Sequence, residues 1–69
     1  MRLSARNVIK GKVWAVTRGA TTAHVKIGVG SGIVITASIT MEALRDLRLK
    51  KGDTAYAVIK ASDVIVGRD

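Results

Sequence analysis

Two runs of alternating residues, joined by a glycine-rich link, restrict this chain more than anything else in it. Ala23, Val25, Ile27 and Val29 alternate with Thr22, His24, Lys26 and Gly28. After Gly28 to Gly32, which holds three glycines and a serine, Ile33, Ile35, Ala37 and Ile39 alternate with Val34, Thr36 and Ser38. A period of two sorts side chains onto opposite faces of a strand and cannot line one face of a helix. Two such runs separated by a short Gly/Ser link read as a hairpin with one apolar and one polar face. A chain of 69 residues built around that hairpin is committed to a sheet that buries one side.

The flanking segments extend the sheet. Residues 7–17, rich in Val and Ile, read as a first strand, in which Gly11 predicts a bulge or a close backbone approach. Arg18-Gly19-Ala20 is a turn signal. Thr40 suits a helix N-cap, and Glu42 falls in the first turn, where the helix dipole favours an acid. Leu44 and Leu47 can share one face, and Gly52, after Lys50 and Lys51, predicts the helix end. Residues 54–60 read as a fourth strand and residues 63–66 as a short fifth. Three strands, a helix and two strands is the element order of an OB-type barrel. The expected fold is therefore all-β with one short helix, a five-stranded OB-type β-barrel, formed by residues 1–69 as a single domain.

A domain this small buries only roughly 60% of its unfolded surface and commonly needs a further staple. With no cysteine, disulfides and thiolate zinc sites are excluded, and a lone His24 makes no histidine cluster. Association with further copies is the remaining route, so a homo-oligomer is expected. Nothing at the start resembles a signal peptide, and no apolar run approaches the roughly 20 residues of a membrane span. A soluble cytoplasmic protein that does not enter the membrane is the expectation. Twelve Lys and Arg against five acids give a net charge of +7, which favours an anionic partner. One Trp, one Tyr and no Phe are a thin supply of stacking platforms, which argues against single-stranded nucleic acid. Catalysis finds no support, and no catalytic residues are assigned. The acids Glu42, Asp46, Asp53, Asp63 and Asp69 form no pair with acid/base spacing, and the Gly28 to Gly32 link lacks the ending of a phosphate loop.

Two short polar motifs remain, Ser4-Ala5-Arg6-Asn7 near the start and Lys60-Ala61-Ser62 near the finish. A tetrahedral dianion such as molybdate, tungstate or sulfate offers acceptors only, so its site must consist of donors. Arg6 supplies a fork of donors, Lys60 a point charge, and Ser4 and Ser62 hydroxyls, while Ala5 and Ala61 let an anion approach the backbone. The same residues also read as solvated polar ends and turns. Composition leaves both readings open.

Ser4-Ala5-Arg6-Asn7, Gly11, Val13, Gly19-Ala20, Ile39-Thr40, Leu49-Lys50-Lys51-Gly52 and Tyr56 through Ser62 together resemble the molbindin (Mop) family. These are small cytoplasmic molybdate-binding proteins related to TOBE domains. The resemblance runs over essentially the whole chain and implies an OB-type fold in a hexamer, a trimer of dimers. It implies molybdate, and tungstate in many relatives, as the ligand, bound as an oxyanion between subunits with no directly coordinated metal. The principal site would comprise Ser4, Ala5 and Arg6 of one chain with Lys60, Ala61 and Ser62 of a neighbour. A second oxyanion site is implied at Gly19, Ala20, Thr21 and Thr22. Three positions depart from the family pattern: Ala43 where many relatives have serine, Thr22 where asparagine is common, and Arg48 where glycine is usual. The resulting expectation is a store or buffer for molybdate. The competing reading is a basic OB-type module that binds RNA or single-stranded DNA.

Overall fold

A computed structural model describes residues 4–69; Met1, Arg2 and Leu3, the start of the segment read for a signal peptide, lie outside them. Strands β1 (Asn7–Arg18), β2 (Thr22–Gly28) and β3 (Val34–Thr40) are followed by helix α1 (Met41–Leu47) and strand β4 (Thr54–Ile59). A 3-10 turn, η1, covers Ala61–Asp63. The strands form one antiparallel sheet in the order β3-β2-β1-β4. It curls into a half-barrel whose two edges, β3 and β4, do not pair with each other.

The alternating hairpin forms as its pattern dictates. Ala23, Val25 and Ile27 are buried, and Thr22, His24 and Lys26 are exposed. The register Ala23↔Ile39, Val25↔Ala37 and Ile27↔Ile35 puts the apolar sets of β2 and β3 on the same face. Ile33 departs from the expectation. It lies in the link, exposed, because Gly30, Ser31 and Gly32 all take positive φ and the chain is still turning. Its N–H donates to the Gly30 carbonyl and its own carbonyl accepts from Val29 N–H.

Strand β1 divides its pairing. Asn7 through Lys12 pair with β4, and Lys12 through Arg18 with β2. The register with β2 slips between Val13 and Ala15, so that Trp14 and Ala15 together oppose Lys26. This bulge solves a phase problem. Val13 pairs with buried Ile27 and Val16 with buried Val25, yet in a regular strand residues three apart would face opposite ways. One extra residue returns Val16 to the core side. Gly11 sits before the bulge as a close approach: a Cβ there would lie 2.5 Å from the Gly28 carbonyl oxygen and 2.8 Å from Ile27 Cγ2.

Helix α1 starts as expected, with Thr40 Oγ1 accepting from Ala43 N–H at 3.0 Å and Glu42 in the first turn. It ends earlier than expected. Arg48, not Gly52, is the C-cap, in the left-handed region at φ 53 and ψ 39. Lys50, Lys51 and Gly52 instead form a separate turn, with Asp53 N–H donating to the Lys50 carbonyl and Asp53 Oδ2 accepting from Lys50 N–H. Leu44 is buried beneath the sheet's concave side, while Leu47 stands at its rim, 62% exposed. The core is small: Val13, Ala23, Val25, Ile27, Leu44, Ala55 and Ala57.

The expected fifth strand is absent from the described residues. Backbone bonds from Asp63 N–H to the Lys60 carbonyl and from Val64 N–H to the Ala61 carbonyl turn the chain aside after β4. Residues 64–69 form no regular element. Val64, Ile65 and Val66 have strand-forming side chains, but a strand is defined by a ladder partner and they have none here. Ile65 is 93% and Val66 90% exposed.

Two substitutions test this account by thermal denaturation at fixed protein concentration. Gly11→Ala, which drives a methyl group into backbone, is expected to cost about 2 kcal/mol, a fall of roughly 8–16 °C in Tm. Arg48→Gly relieves a left-handed conformation and is expected to add about 0.5–1 kcal/mol, a rise of roughly 2–8 °C. A neutral Gly11→Ala, or a destabilising Arg48→Gly, would contradict the geometry described.

Candidate functional site

The β1–β4 ladder brings the two polar motifs together. Its terminal pair is Asn7↔Ile59. Ser4, Ala5 and Arg6 lead directly into β1, and Lys60, Ala61 and Ser62 leave directly from β4. Continuing the register one step past Asn7 and Ile59 sets Arg6 opposite Lys60; further steps would set Ala5 opposite Ala61 and Ser4 opposite Ser62. The ladder itself stops there, because η1 begins at Ala61. The motifs thus occupy one end of the sheet within a single chain, whereas the resemblance implies a site that joins Ser4, Ala5 and Arg6 of one chain with Lys60, Ala61 and Ser62 of a neighbour.

Asn7 fixes that end. Its side-chain Nδ2 donates to the Ile59 carbonyl at 3.2 Å, across 52 residues of sequence. The structure shows it as a clasp between the two halves, in addition to its strand pairing. An asparagine at a strand start, next to a cation, is the local signal of this.

The arrangement is electrostatically incomplete by itself. Two cations at neighbouring positions across an antiparallel pair repel. Ser4, Arg6, Lys60, Ala61 and Ser62 are exposed and Ala5 is half-buried. The nearest acid in sequence, Asp63, closes η1 by donating its N–H to the Lys60 carbonyl. An end that concentrates guanidinium, ammonium and hydroxyl groups offers the donors that a small anion's acceptor oxygens need. Among the described residues no group of three or more His, Cys, Asp and Glu could hold a metal ion.

The other predicted group, Gly19, Ala20, Thr21 and Thr22, forms the β1–β2 turn at the far end of β1, up to roughly 36 Å of strand away. Gly19 N–H donates to the Thr22 carbonyl, and the Thr21 carbonyl accepts from Met41 N–H, which ties the turn to the start of α1. The two groups cannot share one small ligand. His24 lies exposed on the outer face between Thr17 and Ser38, as its place in the alternation implies. No helix among the described residues is long and apolar enough to cross a membrane.

Comparison with known proteins finds relatives over nearly the whole chain. The TOBE domain matches residues 3–66 of the chain. A probable molybdenum-pterin-binding protein of Haemophilus influenzae is 43% identical over 67 residues, which cover 97% of each chain. The solved structure of MopII from Clostridium pasteurianum superposes with a TM-score of 0.90 at 36% identity, covering 97% of this chain and all of that one. The cytoplasmic molybdate-binding protein ModG, solved with molybdate bound, superposes with a TM-score of 0.90 at 48% identity. That match covers 94% of this chain and 46% of ModG.

Proposed function

The chain belongs to the TOBE domain family, and on that footing we propose that it is a non-enzymatic binding protein for molybdate, holding the intact oxyanion at the motif-bearing end of the sheet. Ser4, Ala5 and Arg6 together with Lys60, Ala61 and Ser62 are the binding residues. The observation that carries this reading is the Asn7↔Ile59 register, from which both motifs emerge side by side. A dianion between Arg6 and Lys60 would replace their mutual repulsion with two charge-assisted contacts. Relatives named for binding molybdenum, and ModG with molybdate bound, support the choice of anion. Tungstate presents the same tetrahedral oxygens and is expected to compete. A second oxyanion site at Gly19, Ala20, Thr21 and Thr22 belongs to the same proposal, resting on the hydroxyls of Thr21 and Thr22. The role that fits is a cytoplasmic store or buffer.

The site is proposed to lie at a subunit interface of a homo-oligomer, a hexamer arranged as a trimer of dimers. Two features support association. The binding residues are too exposed in one chain to strip a dianion of water, and a neighbour would supply the cover and further donors. The half-barrel also leaves an apolar trough of about 390 Å³ between its edges, bordered by Val25, Ile27, Ile39, Leu49, Ala55 and Val58. The same chain carries the unpaired tripeptide Val64-Ile65-Val66. A second copy's tripeptide laid in the trough would cover both apolar surfaces and provide the missing ladder partner.

Isothermal calorimetry with molybdate tests the site. Arg6→Ala and Lys60→Ala are each expected to weaken binding by about 10-fold or more, as loss of a charged hydrogen-bond partner does. Unchanged affinity in both variants would remove these residues from the site. Native mass spectrometry, with and without molybdate, tests the assembly. The double variant Ile65→Asp, Val66→Asp is expected to shift the population toward monomers. An intact assembly in that variant would refute a role for the tail in association.

A further inference from the structure

The oxyanion site accounts for two of the chain's twelve cations, Arg6 and Lys60. The five acids are placed unevenly. Glu42 and Asp46 lie on α1, Asp53 in the turn that follows it, Asp63 in η1 and Asp69 at the chain end. No strand of the sheet contains an acid. On the outer face of that sheet Lys10, Lys12 and Lys26 stand exposed. Alternation puts them there: Lys10 and Lys12 flank Gly11 and alternate with buried Val13, and Lys26 lies between buried Val25 and Ile27. Two residues along β1 separate Lys10 from Lys12 by about 7 Å. Lys12 pairs with Gly28, which sets Lys26 on the diagonal, roughly 7–8 Å away.

Trp14 continues this row. It is 61% exposed, and the bulge makes it one of two residues opposing Lys26. Two open clefts meet at it. One, of about 360 Å³, runs toward the β2–β3 link and is lined by Lys12, Gly28 and Ile33 as well. The other, of about 300 Å³, runs toward the turn at residues 50–53 and is lined also by Arg18, Lys50 and Lys51. Val13 N–H donates to the Asp53 carbonyl and Gly52 N–H to the Val13 carbonyl, which holds that turn against β1. Cations line both clefts and a carboxylate lines neither. The second aromatic, Tyr56, pairs across from Lys10 at the other end of the row and is 50% exposed, on an edge strand that also borders the apolar trough.

Each part of this surface narrows the partner. A row of cations with no acid among them fits a chain of negative charges, whereas a small anion would meet one or two. Clefts that join at one residue suit a ligand that continues from the first into the second. Exposed aromatics along the row suit flat rings carried between the charges. Single-stranded nucleic acid has all three properties. A duplex keeps its base faces stacked away from the protein, and an acidic peptide has no regular series of rings. By count, two aromatics are a thin supply; by position, both belong to the one cationic face.

We propose that the outer face of the sheet binds single-stranded nucleic acid, with phosphates at Lys10, Lys12 and Lys26 and a base on Trp14. This surface shares no residue with the oxyanion site, so molybdate binding and nucleic-acid binding stand or fall separately.

The experiment titrates the full chain into fluorescein-labelled oligo-dT and oligo-rU of about 15 nucleotides and follows anisotropy between about 50 and 200 mM salt. Saturable binding is expected for at least one of them, and the tighter identifies DNA or RNA as the source. Three phosphate contacts predict a slope of log affinity against log salt of about −2. Lys12→Ala with Lys26→Ala is expected to weaken binding about 10-fold or more and to make that slope shallower by about 1.4, with the parent's Tm, since both side chains are exposed. Trp14→Leu is expected to weaken binding about 5-fold or more and leave the slope unchanged, because stacking releases no counterions. Saturating molybdate is expected to leave oligonucleotide affinity unchanged. The proposal is overturned if neither oligonucleotide binds saturably, or if the lysine double variant keeps the parent's affinity and slope. It is equally overturned if molybdate displaces the oligonucleotide, or if duplex DNA of the same length or phosphatidylserine vesicles bind as tightly.

Discussion

Val13 is where β1 changes partners, and the rest of the architecture follows from how it does so. Its backbone bonds run to Gly52 and Asp53 on the β4 side, while its side chain packs in the core opposite Ile27 of β2. The bulge that follows adds one residue, keeps Val16 on the apolar face and increases the local twist. A single strand can then serve β4 with its first half and β2 with its second. That change of partner adds to the intrinsic twist of the sheet and so to the curl of the half-barrel. The same bulge turns Trp14 outward, and the same pair of backbone bonds brings Lys50 and Lys51 beside it. Core phase, curvature and the aromatic cleft therefore share one cause.

The motif-bearing end has a different physical character. It is held by the last rung of the β1–β4 ladder and by one side-chain bond from Asn7. Its extended register sets two cations, Arg6 and Lys60, opposite each other. On the proposed reading, such an end suits a ligand that arrives charged and leaves intact, the protein supplying donors and the anion cohesion. Linkage then works both ways, since whatever binds the folded chain and not the unfolded one also stabilises it.

The parts of the fold that were legible in the sequence are those governed by local rules. Alternation specified β2 and β3 because one face is buried and the other is not. Thr40 announced the helix start because its hydroxyl satisfies an otherwise unpaired N–H. What was not legible depends on partners far away in sequence. Arg48 ends the helix in a conformation that favours glycine; its standing where the family usually has glycine was a mark of that, but Gly52 was the more obvious stop signal. Residues 63–66 have the composition of a strand and lack the ladder that would make them one. The bulge left a faint trace, two apolar residues three apart in an otherwise strand-like run. The six candidate oxyanion residues could be named from the two motifs, but their meeting at one end of the sheet follows from a register that only the folded chain reveals.

That register also orders events during synthesis. The rung that joins the motifs pairs residues 7 and 59, so its closure waits on nearly the whole chain, whereas the β2–β3 hairpin needs only its own neighbourhood. A chain emerging from a ribosome would present Ser4 and Arg6 early, with their partners still unmade. The motif-bearing end would be complete only after Lys60 to Ser62 had cleared the exit. An incomplete chain that stops short of β4 could hold a folded β2–β3 hairpin and yet leave the two motifs unjoined.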